Sequence, residues 1–343
     1  MRNILCIVAF FTITLLSCNK NTNTTGSTTT SGNWIKTGFS ATNSTSVFSM
    51  LVSAKGRIIV GLETQFGNNS LYTSIDTGST WNLSVTNSID NINGNVNSIK
   101  QDPFTSVILV GCISLNLPGL FFSKDDGATW TNNPNTFSPA DFAFMNQKTY
   151  LFAYNGVSPT PGQYLLSSTD DFSSNLVDCD PIPPIIDWYR LFSDNGTLFL
   201  AELSIGSLYS SNNPEGRQFT LTDSGISFPN RGISHVTRLS REGNYLFVGT
   251  TDGVYRSSDE GQSWTACNLG FSEGANDFAV VGSEIYVALT DSAVYKSGDN
   301  GNTWQAYNQG LPSPLTVNCL QVDGNYLLEG DVQSTVYKRN LTN

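Results

Sequence analysis

An octapeptide of the form Ser-x-Asp-x-Gly-x-(Ser/Thr)-Trp occurs four times in this sequence, with agreement at five fixed positions in every copy. The four copies end at Trp81, Trp130, Trp264 and Trp304. Two degenerate copies begin at Ser168 and Ser211, between the second and the third. A repeat of this kind restricts the chain to a repetitive architecture in which each unit contributes the same supersecondary structure.

The octapeptide has the composition of a tight turn with a packing anchor. The Asp carboxylate can accept hydrogen bonds from amides of the turn, and the Gly tolerates a positive φ. The Trp provides a large apolar ring that packs between neighbouring sheets. A calcium loop needs a longer series of oxygen ligands, so we interpret the motif as structural and predict no metal site. The anchoring pairs are Asp76 and Trp81, Asp125 and Trp130, Asp259 and Trp264, and Asp299 and Trp304.

Apolar runs ahead of each octapeptide indicate short strands, and each series opens with an apolar-x-x-apolar signature. Seven such signatures align: Val47/Met50, Val96/Ile99, Phe142/Met145, Trp188/Leu191, Val236/Leu239, Phe278/Val281 and Val317/Leu320. Units of this length with four strands each are typical of propeller blades. The sequence therefore predicts an all-β fold, a seven-bladed β-propeller of four-stranded antiparallel blades. Six blades are the alternative, because units three and four contain the degenerate octapeptides.

The two ends of the repeat region complement each other. Trp34-Ile35-Lys36 forms a strand-like segment that follows no octapeptide, and the last unit ends at Val336-Tyr337-Lys338 without one. We predict that the N-terminal strand closes the ring as the outer strand of the last blade, because closure removes exposed sheet edges. The propeller then spans residues 34–343.

The octapeptide resembles the Asp-box, or bacterial neuraminidase repeat, of sialidases, sortilin-like receptors, xyloglucanases and photosystem-assembly propellers. The resemblance implies a turn between the third and fourth strands of a blade. Sialidases also need three arginines, a Tyr–Glu pair and a (Phe/Tyr)-Arg-Ile-Pro stretch, whereas the nearest match here is Gly56-Arg57-Ile58-Ile59. Asp-box xyloglucanases place their cleft between two propellers, and this chain has one. Sialidase activity is therefore not expected.

The N-terminal segment has the features of an export signal. Arg2 precedes an apolar stretch, Ile4 to Leu16, which is short for a membrane span. It ends in Leu15-Leu16-Ser17-Cys18, which resembles the lipobox of bacterial lipoproteins; an ordinary secretory signal with an incidental Cys is the alternative. The resemblance implies a signal peptide over residues 1–17, a lipidated Cys18 with a flexible tether over residues 18–33, and a lipid-anchored location in the bacterial cell envelope, facing the periplasm or the surface.

Composition removes several classes of partner and cofactor. The chain has a formal charge of -11, so it lacks the positive surface that nucleic-acid phosphates require. His235 is its single histidine, which excludes multi-histidine metal or haem sites, and we predict no cofactor. The mature cysteines Cys112, Cys179, Cys267 and Cys319 show no pairing motif. We expect them to be mostly buried free thiols, and we expect the protein to be a monomer.

Candidate functional residues follow from the aligned signatures. Propeller ligands usually dock where the first strands of the blades begin, and the residue before each signature is polar: Ser46, Asn95, Asp141, Asp187, His235, Asp277 and Thr316. These positions are either simply hydrated or form a ligand site. Trp188 and Arg190 follow Asp187; Trp188 either packs in the core, as we favour, or stacks on a sugar. The predicted face is acidic, so neutral glycans, cations or basic protein segments suit it better than anions.

We therefore predict a non-catalytic binding or scaffold propeller for a protein or a neutral glycan. The predicted binding residues are Asn95, Asp141, Asp187, Trp188, Arg190, His235 and Asp277. The alternative is a glycoside hydrolase that uses two carboxylates from Asp141, Asp187 and Asp277, since such enzymes act through a carboxyl pair.

Overall fold

The computed structural model describes residues 32–41, 44–64, 70–84, 92, 94–113, 119–133, 138–155, 162–170, 172, 177–179, 189–203, 206–229, 235–267 and 273–342. The predicted signal peptide, Cys18 and nearly all of the tether lie outside these residues, as do Asp187 and Trp188. The described residues form β-strands and turns and contain no helix. They consequently include no helix that is long and apolar enough to cross a membrane.

The strands form seven antiparallel sheets of four strands each, which confirms the seven-bladed β-propeller and excludes six blades. The strands of blades 1 to 3, taken blade by blade, are β2 (Ser44–Val52), β3 (Ile58–Thr64), β4 (Leu71–Ser74) and β5 (Asn82–Leu83); β6 (Asn95–Gln101), β7 (Ile108–Ile113), β8 (Gly119–Ser123) and β9 (Thr131–Asn132); and β10 (Ser138–Met145), β11 (Lys148–Asn155), β12 (Gly162–Ser168) and β13 (Val177–Asp178).

The remaining blades repeat this order, with the innermost strand first and the outermost last. Blades 4 to 6 contain β14 (Tyr189–Asp194), β15 (Thr197–Glu202), β16 (Leu208–Ser211) and β17 (Thr220–Leu221); β18 (Val236–Glu242), β19 (Tyr245–Thr250), β20 (Gly253–Ser257) and β21 (Thr265–Ala266); and β22 (Ala275–Val281), β23 (Glu284–Leu289), β24 (Val294–Ser297) and β25 (Gln305–Ala306). Blade 7 contains β26 (Val317–Asp323), β27 (Tyr326–Asp331), β28 (Val336–Asn340) and β1 (Ile35–Lys36).

The N-terminal strand closes the ring, as the sequence predicts. In β1, Ile35 pairs with Lys338 and Lys36 with Tyr337 of β28. Trp34 is buried against Tyr307, and its indole Nε1 donates to the Tyr307 carbonyl oxygen at 2.5 Å. The ring of blades is therefore joined by backbone hydrogen bonds between the two ends of the propeller.

Each octapeptide forms the turn between the third and fourth strands of its blade. In the first copy, the Ser74 hydroxyl donates to Asp76 Oδ1 at 2.8 Å and accepts from the Gly78 amide at 2.9 Å. Asp76 also accepts from the amide and hydroxyl of Thr80, and these hydrogen bonds, that of the hydroxyl first, lower the Asp76 pKa to about 2. Gly78 has a φ of 78°. The other three copies repeat this network, which explains the residue types of the motif.

The first degenerate copy keeps the turn with a different residue at the glycine position. Ser168 donates to Asp170 and accepts from the Phe172 amide, as its counterparts do. Phe172 has a φ of 65° and its ring is buried between blades 2 and 3. A non-glycine residue tolerates this conformation only where other interactions hold it, and the buried ring provides them.

The hydrophobic core lies between adjacent blades. Seven apolar clusters correspond to the seven blade interfaces, including that between blades 7 and 1. Trp130 and Trp264 are fully buried in two of these interfaces, whereas Trp81 and Trp304 are half-buried at the edges of two others. The four cysteines of the propeller, Cys112, Cys179, Cys267 and Cys319, are free thiols as predicted, three of them buried and Cys267 partly exposed.

Candidate functional site

The innermost strands of the seven blades surround a central cavity of about 470 Å³, here called the channel. Each blade contributes to its wall, through residues that include Phe48, Lys100, Asp141, Arg190, Arg238, Asp277 and Gln321. The volume falls within the range of about 300–1,000 Å³ that is usual for ligand pockets. We therefore take the channel as the candidate functional site.

A β-bulge shapes the channel wall in six of the seven innermost strands. In each of these strands, pairing with the second strand skips one residue. The skipped residue lies within Val47/Ser49, Val96/Ser98, Pro139/Asp141, Val236/Arg238, Ala275/Asp277 or Val317/Cys319. A bulge adds one unpaired residue and changes the direction of its side chain. The wall consequently contains two repeated positions per blade, the bulged residue and the residue after it.

Bulged residues with polar side chains link their blade to the next one. Asn276 Nδ2 donates to the Val317 carbonyl oxygen at 2.9 Å, and Asn318 Nδ2 donates to the Val47 carbonyl oxygen at 2.9 Å. Thr237 makes the corresponding hydrogen bond to the Ala275 carbonyl oxygen. These side chains therefore add hydrogen bonds between neighbouring innermost strands, which share no backbone ladder.

The residues after the bulge link blades through backbone amides. Asp141 Oδ2 accepts from the Leu191 amide at 3.0 Å, and Asp277 Oδ2 accepts from the Leu320 amide at 2.9 Å. The Ser49 hydroxyl accepts from the Ile99 amide in the same way. At these three interfaces a side-chain oxygen of one blade therefore accepts a hydrogen bond from the backbone amide at the same strand position of the next blade.

The Asp141 carboxylate has four donors within hydrogen-bond distance. Besides the Leu191 amide, its Oδ1 accepts from Lys100 Nζ at 2.8 Å, the Ser98 hydroxyl at 2.7 Å and the Phe142 amide at 2.9 Å. Burial alone would raise its pKa, but the positive charge of Lys100 and these hydrogen bonds hold the Asp141 pKa below its ordinary value. Asp141 is therefore an ionised structural carboxylate.

Lys100 spans three blades. Its Nζ binds Asp141 and also donates to the carbonyl oxygens of Phe142 and Leu191, which uses all three N–H donors of the ammonium group. Burial of the charged group lowers the Lys100 pKa. Partly buried Lys100 and buried Asp141 together form an ion pair at the junction of blades 2, 3 and 4.

Asp277 occupies the corresponding position in blade 6. Its Oδ1 lies 2.8 Å from Arg238 Nε and accepts from the Phe278 amide at 2.8 Å. Unlike Asp141, Asp277 has a raised pKa, because the desolvation of the buried carboxylate exceeds the favourable effect of Arg238. The two carboxylates are thus equivalent in position but differ in electrostatic environment.

The observed register corrects the sequence alignment in blades 3 and 6. Asp141 and Asp277 follow the bulge, whereas Asn95 and His235 precede the pre-bulge valines Val96 and Val236. In these two blades the position equivalent to Val96 is Pro139 or Ala275, three residues before the predicted Phe142 and Phe278. The physical reason is that Phe142 and Phe278 begin a second pair of apolar residues with the same spacing. The seven polar positions therefore do not form one ring.

Of the remaining predicted residues, Arg190 and His235 line the channel and Asn95 is not among its lining residues. Asn95 Oδ1 accepts from the Thr64 amide of blade 1 at 3.1 Å, so its side chain links two blades. His235 and Arg190 both line the channel and are half-buried. Asp187 and Trp188 lie outside the described residues.

The charge of the channel wall differs from the acidic face that the sequence suggests. Among the described residues that line it, the three basic side chains Lys100, Arg190 and Arg238 outnumber the two carboxyl groups of Asp141 and Asp277. Lys100, Arg238 and Phe48 were not among the residues predicted from the sequence. Composition offered no signal for them, because acidic residues are at least as frequent as basic ones in the innermost strands.

Metal binding finds no support in the described part of the chain, where no three His, Cys, Asp or Glu side chains are grouped to hold an ion. The carboxyl oxygens of Asp141 and Asp277 are instead directed at amides and basic side chains. The arrangement can hold a ligand by hydrogen bonds and charge within a rigid wall.

No protein-family model matches the sequence, and no curated protein is similar to it. The fold is nevertheless similar to several solved structures. One is named as the extracellular domain of a hybrid two-component system of B. thetaiotaomicron, with a TM-score of 0.67 and 13% identity over 89% of this chain. The similarity covers 39% of that chain, so the present chain spans well under half of its length.

Two further structures match over almost their whole length. YCF48 from Cyanidioschyzon merolae has a TM-score of 0.63 and 11% identity, with 91% of this chain and 99% of that chain covered. Virginiamycin B lyase from Staphylococcus aureus, in a catalytically inactive variant with quinupristin, has a TM-score of 0.65 and 11% identity, with 89% and 99% covered. Identities this low show the propeller fold alone.

Proposed function

We propose that this protein is a non-catalytic binding or scaffold propeller of the bacterial cell envelope, with a protein or a glycan as its ligand. The observation that carries the proposal is the commitment of Asp141 and Asp277 to structural hydrogen bonds. These are the two described members of the carboxylate set that a hydrolase would use.

Glycoside hydrolysis requires one carboxyl group that delivers a proton to the leaving oxygen and a second that acts as base or nucleophile. Asp141 is held ionised by Lys100, and both of its oxygens accept backbone amides. Asp277 likewise has one oxygen on the Leu320 amide and the other on Arg238 and the Phe278 amide. Neither carboxylate can approach a substrate without breaking a link to the next blade, which supports a binding role.

A rigid ring that presents loops suits recognition, since binding residues concentrate on loops held by a stable scaffold. The hydrogen-bond network of the four octapeptide turns supports the resemblance to the Asp-box, a structural motif. The structural neighbours include one named as an extracellular domain, which is compatible with a binding role outside the cell. On this proposal the protein acts as a monomer and needs no cofactor.

The proposed envelope location rests on the N-terminal sequence. We propose that residues 1–17 are removed and that Cys18 receives lipid, which provides stable attachment to a membrane. Residues 19–33 are rich in Thr, Asn, Ser and Gly, a composition typical of flexible linkers. The tether would then hold the propeller away from the membrane surface, facing either the periplasm or the exterior.

One observation favours glycoside hydrolysis as a second candidate function. The raised pKa of Asp277 is a property of a general acid, and Asp187 remains as a proposed second carboxylate. Hydrolase activity on neutral polysaccharides that is lost in Asp277→Asn or Asp187→Asn would support this candidate.

The proposed function is tested by incubating the mature protein with a glycan array and with neutral polysaccharides in solution. We expect retention of particular ligands without release of reducing ends. Turnover that disappears in Asp277→Asn would contradict the non-catalytic proposal.

A further inference from the structure

Arg190 of blade 4 is an uncommitted cation in the channel. Its guanidinium carbon lies 5.8 Å from the centre of the Phe48 ring, which belongs to blade 1. Arg190 therefore extends across the channel towards a non-adjacent blade. Among the described residues, the guanidinium group has no hydrogen-bond acceptor and no carboxylate partner, although five N–H donors are available on it.

The neighbouring cations differ from Arg190 in how their donors are used. Lys100 has all three donors engaged. Arg238 binds Asp277 through Nε, and its two terminal nitrogens have no acceptor among the described residues. Arg190 and Arg238 therefore bring free guanidinium N–H groups to the same cavity.

The channel carboxylates cannot rotate to neutralise Arg190. Asp141 and Asp277 each accept two backbone amides, and each already has a cationic partner. The positive charge of Arg190 nevertheless acts on the pKa of Asp141, Asp277 and Lys100, in each case towards a lower value. Among the described channel residues the basic groups therefore outnumber the carboxyl groups, and Arg190 has no carboxylate of its own, which partial burial makes unfavourable.

An oxyanion satisfies both the charge and the donors. Guanidinium groups bind carboxylates and related oxyanions through paired N–H donors, and the nearby Phe48 ring offers an apolar surface to the rest of a ligand. The bound group would lie near the ionised Asp141 carboxylate and near Asp277, so a dianion would meet more like-charge repulsion there than a monoanion. The geometry therefore favours a carboxylate or a sulfate ester over a phosphate monoester.

We propose that the channel binds the monoanionic oxyacid group of a ligand, either a carboxylate or a sulfate ester, between Arg190 and Arg238. This proposal rests on the proposed binding function and identifies the chemistry of the ligand group that enters the channel. It replaces the neutral ligand expected from the sequence with an anionic one.

The test uses the side-chain Nε–H signals of the arginines in nitrogen-15 NMR of the whole mature protein. Acetate, methyl sulfate and inorganic phosphate are titrated separately at constant ionic strength, and the Arg190 signal is assigned with Arg190→Gln. Exposed Arg217 is the reference signal. We expect acetate or methyl sulfate to shift the Arg190 signal to saturation, with phosphate weaker, and no matching shift at Arg217. Equal shifts at Arg190 and Arg217 would overturn the proposal.

A second measurement uses larger ligands and variants. Glucuronate and glucose 6-sulfate are compared with glucose by calorimetry, which distinguishes carboxylate from sulfate ester. We expect the preferred anionic sugar to bind at least about tenfold more tightly than glucose, and to lose about tenfold or more in Arg190→Gln, because charge-assisted hydrogen bonds are lost. Arg217→Gln should leave binding unchanged. Equal binding of glucose and both anionic sugars would overturn the inference.

The outcomes separate this inference from the proposed function. Array ligands that bind wild type and Arg190→Gln equally would leave the binding function intact and overturn the oxyanion site. Saturable oxyanion binding at Arg190 together with substrate turnover would overturn the non-catalytic function and retain the site.

Discussion

The Asp141 carboxylate of blade 3 accepts a hydrogen bond from the Leu191 amide of blade 4, with 3.0 Å between Oδ2 and N. Asp277 of blade 6 makes the same contact with Leu320 of blade 7 at 2.9 Å. An acidic side chain after the bulge therefore joins two sheets that share no backbone hydrogen-bond ladder. This relationship assigns both residues a structural role in the ring.

Replacing Asp141 with Asn should destabilise the propeller. The variant leaves the partly buried Lys100 ammonium without its carboxylate partner. Breaking a fully buried ion pair costs about 3–5 kcal/mol, and the partial exposure of Lys100 places the expected loss at about 2–3 kcal/mol. The measurement is the free energy of unfolding in urea. Asp291→Asn, at an exposed position, is the control and should change the stability little. A loss below about 1 kcal/mol for Asp141→Asn would show that the pair contributes no more than a surface ion pair.

Replacing Trp264 with Ala should remove a central part of the interface between blades 4 and 5. The indole is 4% exposed, and its Nε1 donates to the Thr222 carbonyl oxygen at 2.8 Å. Truncation of a buried Trp costs about 3–5 kcal/mol through the cavity it leaves. Trp304→Ala is the matched comparison, because Trp304 is half-buried in the equivalent turn. Equal losses at the two positions would contradict the assigned difference in packing.

The stability of the propeller should depend on the ionisation of Glu329. Glu329 is fully buried in the second strand of blade 7, at the position that Val248 and Val287 occupy in blades 5 and 6. Neither of its carboxyl oxygens has a hydrogen-bond partner among the described residues. Burial, followed by the nearby Asp331, raises the Glu329 pKa well above its ordinary value. The folded state therefore favours the protonated form more than the unfolded state does.

A raised pKa in the folded state gives stability that is fully present below the unfolded pKa of about 4.3 and decreases as the pH rises through the folded pKa. Glu329→Leu should remove this dependence and increase the free energy of unfolding at pH 7 by about 1–3 kcal/mol. Denaturant unfolding from pH 4 to pH 8 measures both effects. A wild-type slope that persists unchanged in Glu329→Leu would assign the pH dependence to another group.

Cys18→Ala should release the protein from membranes. If the lipobox interpretation is correct, this variant cannot receive the lipid and loses its attachment. Detergent-phase partitioning of cells that express the wild type and the variant measures the effect. Cys267→Ala, at a partly exposed cysteine within the propeller, is the control. Unchanged partitioning of Cys18→Ala would refute lipid attachment at this residue.

Much of the fold follows from local sequence. The octapeptides predict the turns because Asp76 and its equivalents need the same donors in every copy, and the unmatched segment at Trp34 predicts the closing strand. The register of blades 3 and 6 does not follow, because Pro139 and Ala275 occupy the pre-bulge position where the other bulged strands have Val, and Phe142 and Phe278 begin a stronger apolar pair three residues later. Phe142 thus resembles Val96 in the sequence, but it is the equivalent of Ile99 in the structure.

The candidate site was predictable only in part. Arg190 and Asp277 were selected from the sequence and do line the channel. The pairing of Asp277 with Arg238 was not predictable, since the two residues belong to different blades and meet through the curvature of the ring. The sign of the channel charge depended on which charged side chains of the innermost strands face the cavity, and therefore required the three-dimensional arrangement.

The central claim, that the channel binds without catalysing, is tested most directly by recovering each bound glycan from the mature protein after prolonged incubation and determining its mass. The account predicts that every retained ligand is recovered intact. The recovered fraction of the bound glycan should be the same for wild type and Asp277→Asn when the two bind equal amounts. Shortened products in the wild type that are absent in Asp277→Asn would contradict it.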